Sequence, residues 1–166
     1  MNPWPKNIAL KILCAVWSFP VLFLTFLFVV LPLLVFRQVN FLGWSDGAWD
    51  LVIRAGSWTF RHTAADESKG KPSWRGFSCG WFVFYRGTEH AKDIQVRTHE
   101  RRHMRQQLIL GLLQWFSYAV IACTIWLSCH SLHSYSSNPF EIDARLAAGQ
   151  PVGDLGPKKG DRWPWF

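Results

Sequence analysis

No two of the four cysteines, Cys14, Cys79, Cys123 and Cys129, form a C-x-x-C pair, and three of them lie in apolar surroundings. This spacing argues against a thiolate metal site and against a disulfide framework, so the cysteines read as small buried hydrophobes. Formal charge is missing from two long stretches: the 25 residues from Ile12 to Phe36, and everything between Arg105 and Glu141. The net charge of +7 and pI near 9.6 are accompanied by no base-reading motif, so nucleic acid is not an expected partner. The positive residues are dispersed. Lys6 and Lys11 precede the first apolar run, Arg97, Arg101, Arg102 and Arg105 cluster, and Lys158, Lys159 and Arg162 lie in the tail. Beside apolar segments and 11 Trp, such charges suit anionic headgroups, and membrane lipids are the expected partner.

What is present begins with that first apolar run. It exceeds the roughly 20 residues that a membrane-spanning helix needs, and Pro20 and Pro32 would kink it without forbidding it. It is longer than a signal-peptide core, and no small-residue cleavage site follows, so a retained anchor over residues 1–36 is expected. From Arg37 to Gln107 the chain turns polar, with 12 Lys or Arg against 7 Asp or Glu, and its pattern becomes strand-like. Residues 50–54 and 57–61, separated by Ala55-Gly56, are consistent with a hairpin, and residues 63–73 with an exposed loop. A further strand is expected over Trp81–Tyr85.

The densest chemistry lies in Thr98-His99-Glu100-Arg101-Arg102-His103, an H-E-x-x-H string in a helix that Asp93 can start. Four residues apart on one helical face, two neutral imidazoles can reach one Zn²⁺. Glu100, one step round, can face a metal-held water and act as general base. A solvated basic helix that happens to carry two histidines is the alternative. Two histidines need a third protein ligand. Downstream, Asn138 can cap a helix with Pro139 at its first position and Glu141 three residues after the cap, while Gly149 and Pro151 stop it. Glu141 is a suitable carboxylate ligand, although a capping-box role explains it on local grounds. Ala144 would let that helix approach closely. His130 and His133, with Cys129, form a fallback metal set, although two histidines at the end of an apolar helix are more often interfacial or C-terminal capping residues.

Together, H-E-x-x-H-x-x-Q ending at Gln106, the apolar segment, Tyr135 and Asn138-Pro139-Phe140-Glu141-x-x-Ala144-Arg145 resemble the glutamate-type zincins, or gluzincins. They also resemble small bacterial and phage membrane proteins that carry both motifs. The resemblance covers roughly residues 80–149. It implies Zn²⁺ held by His99, His103 and Glu141, with Glu100 as catalytic base. Tyr135 is a candidate to hydrogen-bond an oxyanion but reads more readily as a plain interfacial tyrosine, and Arg145 either orients the Glu141 carboxylate or faces solvent as its i,i+4 partner. In zincin folds a strand near the metal helix pairs with an extended substrate, and residues 81–85 are the candidate here.

The expected fold is therefore α+β: a membrane-anchor helix over 1–36, a zincin-like metallopeptidase domain over 37–149 with a small β-sheet region, metal helix and apolar helices, and a flexible tail over 150–166. Residues 108–129 would form a helix about 33 Å long, enough to cross a bilayer. If it crossed, Glu141 would emerge on the far side from His99. A fold-back is expected instead, with the metal helix running to about Phe116 and a turn near Ser117. The expected function is a membrane-anchored zinc-dependent metallopeptidase acting on a peptide or protein substrate, in a bacterial inner membrane or encoded by a phage in a bacterial host. The alternative is a non-catalytic two-span membrane protein, a phage-type lysis, exclusion or assembly factor whose basic loop binds lipid or a partner. It predicts residues 97–105 and 138–145 on opposite sides of the membrane.

Overall fold

Asn7 accepts hydrogen bonds from the backbone N–H groups of Ala9 and Leu10 and starts the first helix four residues ahead of the charge-free run. The computed structural model describes residues 3–55, 57, 75–129 and 138–152. In it α1 (Ile8–Thr25) continues through a π-helical turn (Phe26–Val30) into α2 (Leu31–Val35). Pro32 accounts for the widened turn. Its ring displaces the carbonyl four residues back, and the helix relaxes to i→i+5 bonding, with Leu31 N–H donating to Phe26 O. The 28-residue stretch Ile8–Val35, of mean hydropathy 2.6, is long and apolar enough to cross a membrane.

Four strands follow: β1 (Val39–Ser45), β2 (Ala48–Ile53), β3 (Gly76–Cys79) and β4 (Phe82–Tyr85), in the sheet order β1-β2-β4-β3. β1 and β2 form an antiparallel hairpin across Asp46-Gly47, both at positive φ, the geometry that an Asp-Gly pair favours in a two-residue turn. The strand expected over 50–54 therefore exists, but its hairpin partner is β1, because the Asp-Gly turn sits before it; residues 58–61 lie outside the described residues. β4 pairs parallel with β2 on one side and antiparallel with β3 on the other. The strand expected over 81–85 is thus interior and has no edge to offer; that edge belongs to β3.

Side chains alternate across the sheet as strand geometry requires. Leu51, Ile53, Phe82 and Phe84 face the second half of the N-terminal helix, meeting Val30 with Leu22, Val29 and Leu33. Val52, Val83 and Tyr85 face the opposite layer, meeting Val96, Met104 and Leu108. Leu51 and Phe84 are fully buried, each worth about 1.5–3 kcal/mol of apolar transfer. That opposite layer is made by a short α3 (Thr88–Lys92) and by α4 (Ile94–Leu110), which Asp93 caps by accepting from Gln95 N–H.

After α4 come α5 (Leu113–Cys129) and α6 (Pro139–Ala147). α4, expected to run to about Phe116, ends at Leu110, because Gly111 takes φ +57° and a Cβ there would stand 2.7 Å from the Trp17 indole nitrogen. At the other end of the fold-back, Asn138 caps α6 by accepting from Phe140 N–H, and Gly149 (φ +66°) follows its last turn. Tyr135, His130, His133, His62, the loop expected over 63–73 and residues 153–166 of the tail lie outside the described residues.

Candidate metal centre

The rotation of α4 about its own axis is set by Arg101. Its fully buried guanidinium donates to both Asp50 oxygens at 2.7 and 3.0 Å and to Ser45 O at 3.0 Å, while Tyr85 OH also donates to Asp50. One strong charged anchor toward the sheet leaves His99 and His103, two residues either side of it, turned away from the sheet and toward α6.

α6 is clamped to that face by three side chains. Arg102 makes a two-pronged contact with Asp143 at 2.6 and 2.7 Å. Gln106 donates to Phe140 O at 3.1 Å and to Asp143 at 2.8 Å, and Ala144, with no exposed surface, lets the helices close. Residues 97–105 and 138–145 are therefore in direct contact, which removes the separation that a two-span arrangement requires.

Glu141 is carried by this docking into the imidazole pair. His103 Nε2 lies 3.1 Å from His99 Nε2 and 3.1 Å from Glu141 Oε1, and His99 Nε2 lies 3.4 Å from Glu141 Oε2. Two donors held about 2.0–2.1 Å from one tetrahedral Zn²⁺ stand roughly 3.3 Å apart, so the triangle has the right edges for the ion. Two further observations make the fit. Glu141 Oε2 is buried with no hydrogen-bond partner, a cost that a cation relieves. His103 Nδ1–H donates to Gln106 Oε1 at 2.9 Å, which turns the Nε2 lone pair toward the cluster. His99, His103 and Glu141 are the residues that would hold a metal.

Charge balance in the cluster follows from the same contacts. Burial by itself would raise the Glu141 carboxyl, but the contact from His103 and the charge of the neighbouring His99 imidazole outweigh it and hold the group well below the usual carboxylate range. His103 is moved the other way. Burial disfavours its charged form, yet the facing Glu141 carboxylate raises it above the ordinary imidazole value. Glu141 does not reach back to cap its own helix; instead Tyr118 OH, from α5, donates to its Oε1 at 3.1 Å.

Glu100 lies beside the triangle at the back of a cavity of about 300 Å³ lined by Gly76, Ser78, His103, Gln114, Trp115 and Tyr118, among others. Burial is the main cause that pushes its carboxyl up to about 8, with Glu141 adding to the rise while His103 and Arg101 oppose it. Gly76 is what admits this carboxylate beneath the sheet edge: a Cβ there would lie 3.1 Å from Glu100 Cγ and 3.2 Å from its Oε1. The same strand exposes pairing groups. Arg86 N–H donates to Arg75 O, so Phe77 and Phe84 form the next bonded pair, and Gly76 and Ser78 turn their amide groups away from β4. On that side Ser78 O already accepts from Gln107 Nε2 at 3.2 Å.

Of the residues singled out in the sequence, the structure brings His99, His103, Glu141 and Glu100 together. Arg145 makes no described hydrogen bond to Glu141, and its Nε is buried without a partner. Tyr118 makes the contact to Glu141 in its place. Neither Tyr118 nor Gly76 stands in a motif, and no periodicity or capping signal marks them. Comparison with protein-family profiles, curated proteins and solved structures finds no match.

Proposed function

We propose that this chain is a membrane-anchored zinc-dependent metallopeptidase that hydrolyses peptide bonds in a peptide or protein substrate. The observation that carries the reading is the convergence of two imidazole nitrogens and an orphaned carboxylate oxygen, drawn from two helices, beside a second buried acid that is not part of the triangle. A bound Zn²⁺ would supply Lewis-acid polarisation of a scissile carbonyl and would lower the pKa of a water toward about 7.

The residues divide the remaining work. Glu100, with a proton affinity near neutrality, takes the proton of the attacking water and returns it to the leaving amine. Gln106 fixes the His103 tautomer and Tyr118 fixes the Glu141 carboxylate. An extended peptide finds donors and acceptors on the outward side of Gly76 and Ser78, within the same cavity wall as Glu100. A bilayer-compatible N-terminal helix supplies the attachment.

The test is cleavage of casein, an unstructured protein, by the zinc-loaded full chain in mild detergent. Wild-type protein is expected to cut it, Glu100→Gln to keep zinc and lose cutting, and His103→Ala to lose both. Intact casein in the presence of stoichiometric zinc would reduce the centre to metal binding without turnover.

A further inference from the structure

α1 is not a free-standing helix. Cys14, Ser18, Val21 and Thr25 recur at helical spacing as its buried stripe, and both hydroxyls on that stripe are engaged. Ser18 Oγ donates to Cys14 O and accepts from the Trp81 indole N–H, and Thr25 contacts Cys79. Beyond the π turn the stripe continues through Val30 to Leu33 against the sheet. From Cys14 to Leu33 is about 28 Å of helix axis, close to the full thickness of a hydrocarbon core.

This length decides the orientation. A helix that crossed the bilayer along its axis would hold the sheet at hydrocarbon depth for the whole crossing. The outer edges of β1 and β3 are unpaired by other strands among the described residues, and open sheet edges do not persist in lipid. Arg105, exposed on α4 next to Met104, would enter as well, because Met104 shares a cluster with Cys14.

The opposite stripe of the helix is built for lipid. Ile12, Val16, Phe19, Phe23 and Phe28 are each more than half exposed, at 61, 69, 56, 52 and 68%. Lys6 precedes the helix and Arg37 follows it, both exposed and both suited to anionic headgroups. The apolar surface carries on past Trp17, which abuts Gly111, to the exposed Ile109, Leu112 and Leu113.

We propose that the helical stretch Ile8–Val35 lies flat in the surface of a lipid bilayer, its Ile12-to-Phe28 stripe immersed and the sheet riding on its other face, so that both ends of the helix remain on one side of the membrane. The arrangement is that of an interfacial helix whose polar face is replaced by the rest of the protein. It does not depend on the chemistry proposed for the metal centre.

The experiment places single new cysteines, Lys6→Cys and Arg37→Cys, in the otherwise wild-type full chain, in vesicles of phosphatidylcholine and phosphatidylglycerol. Labelling by a membrane-impermeant maleimide is measured before and after lysis, with the wild-type cysteine background subtracted. Both positions are expected to react from the same side, whichever side that is. Labelling of one position from outside and of the other only on lysis overturns the proposal, as does failure of the wild-type chain to float with the vesicles. Arg54→Cys, whose backbone N–H bonds Gln38 O close to Arg37, repeats the second position should Arg37→Cys not fold.

Discussion

Replacement of Glu100 by Gln should change how the stability of the metal-free chain depends on pH, and the sign is fixed by the site. The folded carboxyl is pushed up to about 8, chiefly by burial, whereas in the unfolded chain it titrates near ~4.3. Between those values the folded state holds a proton that the unfolded state has released, so stability falls as pH rises, by about 1.4 kcal/mol per unit. Over the whole window the loss is on the order of 4–5 kcal/mol. His103 slopes the same way: its raised value gives stability that is full at low pH and is lost as pH rises through the folded pKa. Glu141, depressed, contributes stability above the unfolded carboxylate value that is lost as pH falls. The Glu141 contribution persists in Glu100→Gln, and the part of the His103 shift that Glu100 itself causes slopes the same way, so the difference between wild type and variant reports Glu100 together with its coupling to His103. Urea denaturation in chelator and mild detergent, from pH 5 to pH 8, should show the variant gaining on wild type by several kcal/mol as pH rises, with matched m values. Saturating zinc should narrow the gap, since a neighbouring cation lowers a carboxyl pKa. Curves that stay parallel across the range would refute the assignment of Glu100 as a buried, proton-holding acid.

Tyr118→Phe removes the donor to Glu141 Oε1 and should weaken zinc binding about tenfold in a chelator competition, with the fold intact; an unchanged affinity contradicts the positioning role. Gly76→Ala places a methyl group within 3.1–3.2 Å of the Glu100 side chain and should lower turnover about tenfold while leaving zinc content alone; equal loss of metal would show that the strand supports the triangle and not the base. Asp50→Ala strands the buried Arg101 guanidinium and should cost about 3–5 kcal/mol in chemical denaturation, and a loss below about 1 kcal/mol would mean that the pair does not anchor α4.

The three residues of the candidate cluster were legible because two of them sit at a spacing that only a helix makes meaningful, and the third lies behind a strong cap. Asp93 and Asn138 start their helices as the sequence implies, since capping is a local event. The hydrophobic pattern of 108–129 could not by itself reveal the break at Gly111, which depends on Trp17 being packed nearly a hundred residues away in sequence. The β1–β2 hairpin carried a readable signal in Asp46-Gly47, outweighed by the β-prone runs on either side of Ala55-Gly56. Tyr118, Gly76 and the Arg101–Asp50 pair are tertiary facts: each matters through a neighbour that no sequence window contains.

Metal analysis of the full chain, purified in mild detergent at neutral pH and dialysed against trace zinc, tests the central claim most directly. The account predicts one zinc per chain in wild type and none retained by His103→Ala, whose loss removes the donor lying 3.1 Å from both other ligands. A folded wild-type chain without bound zinc would contradict it.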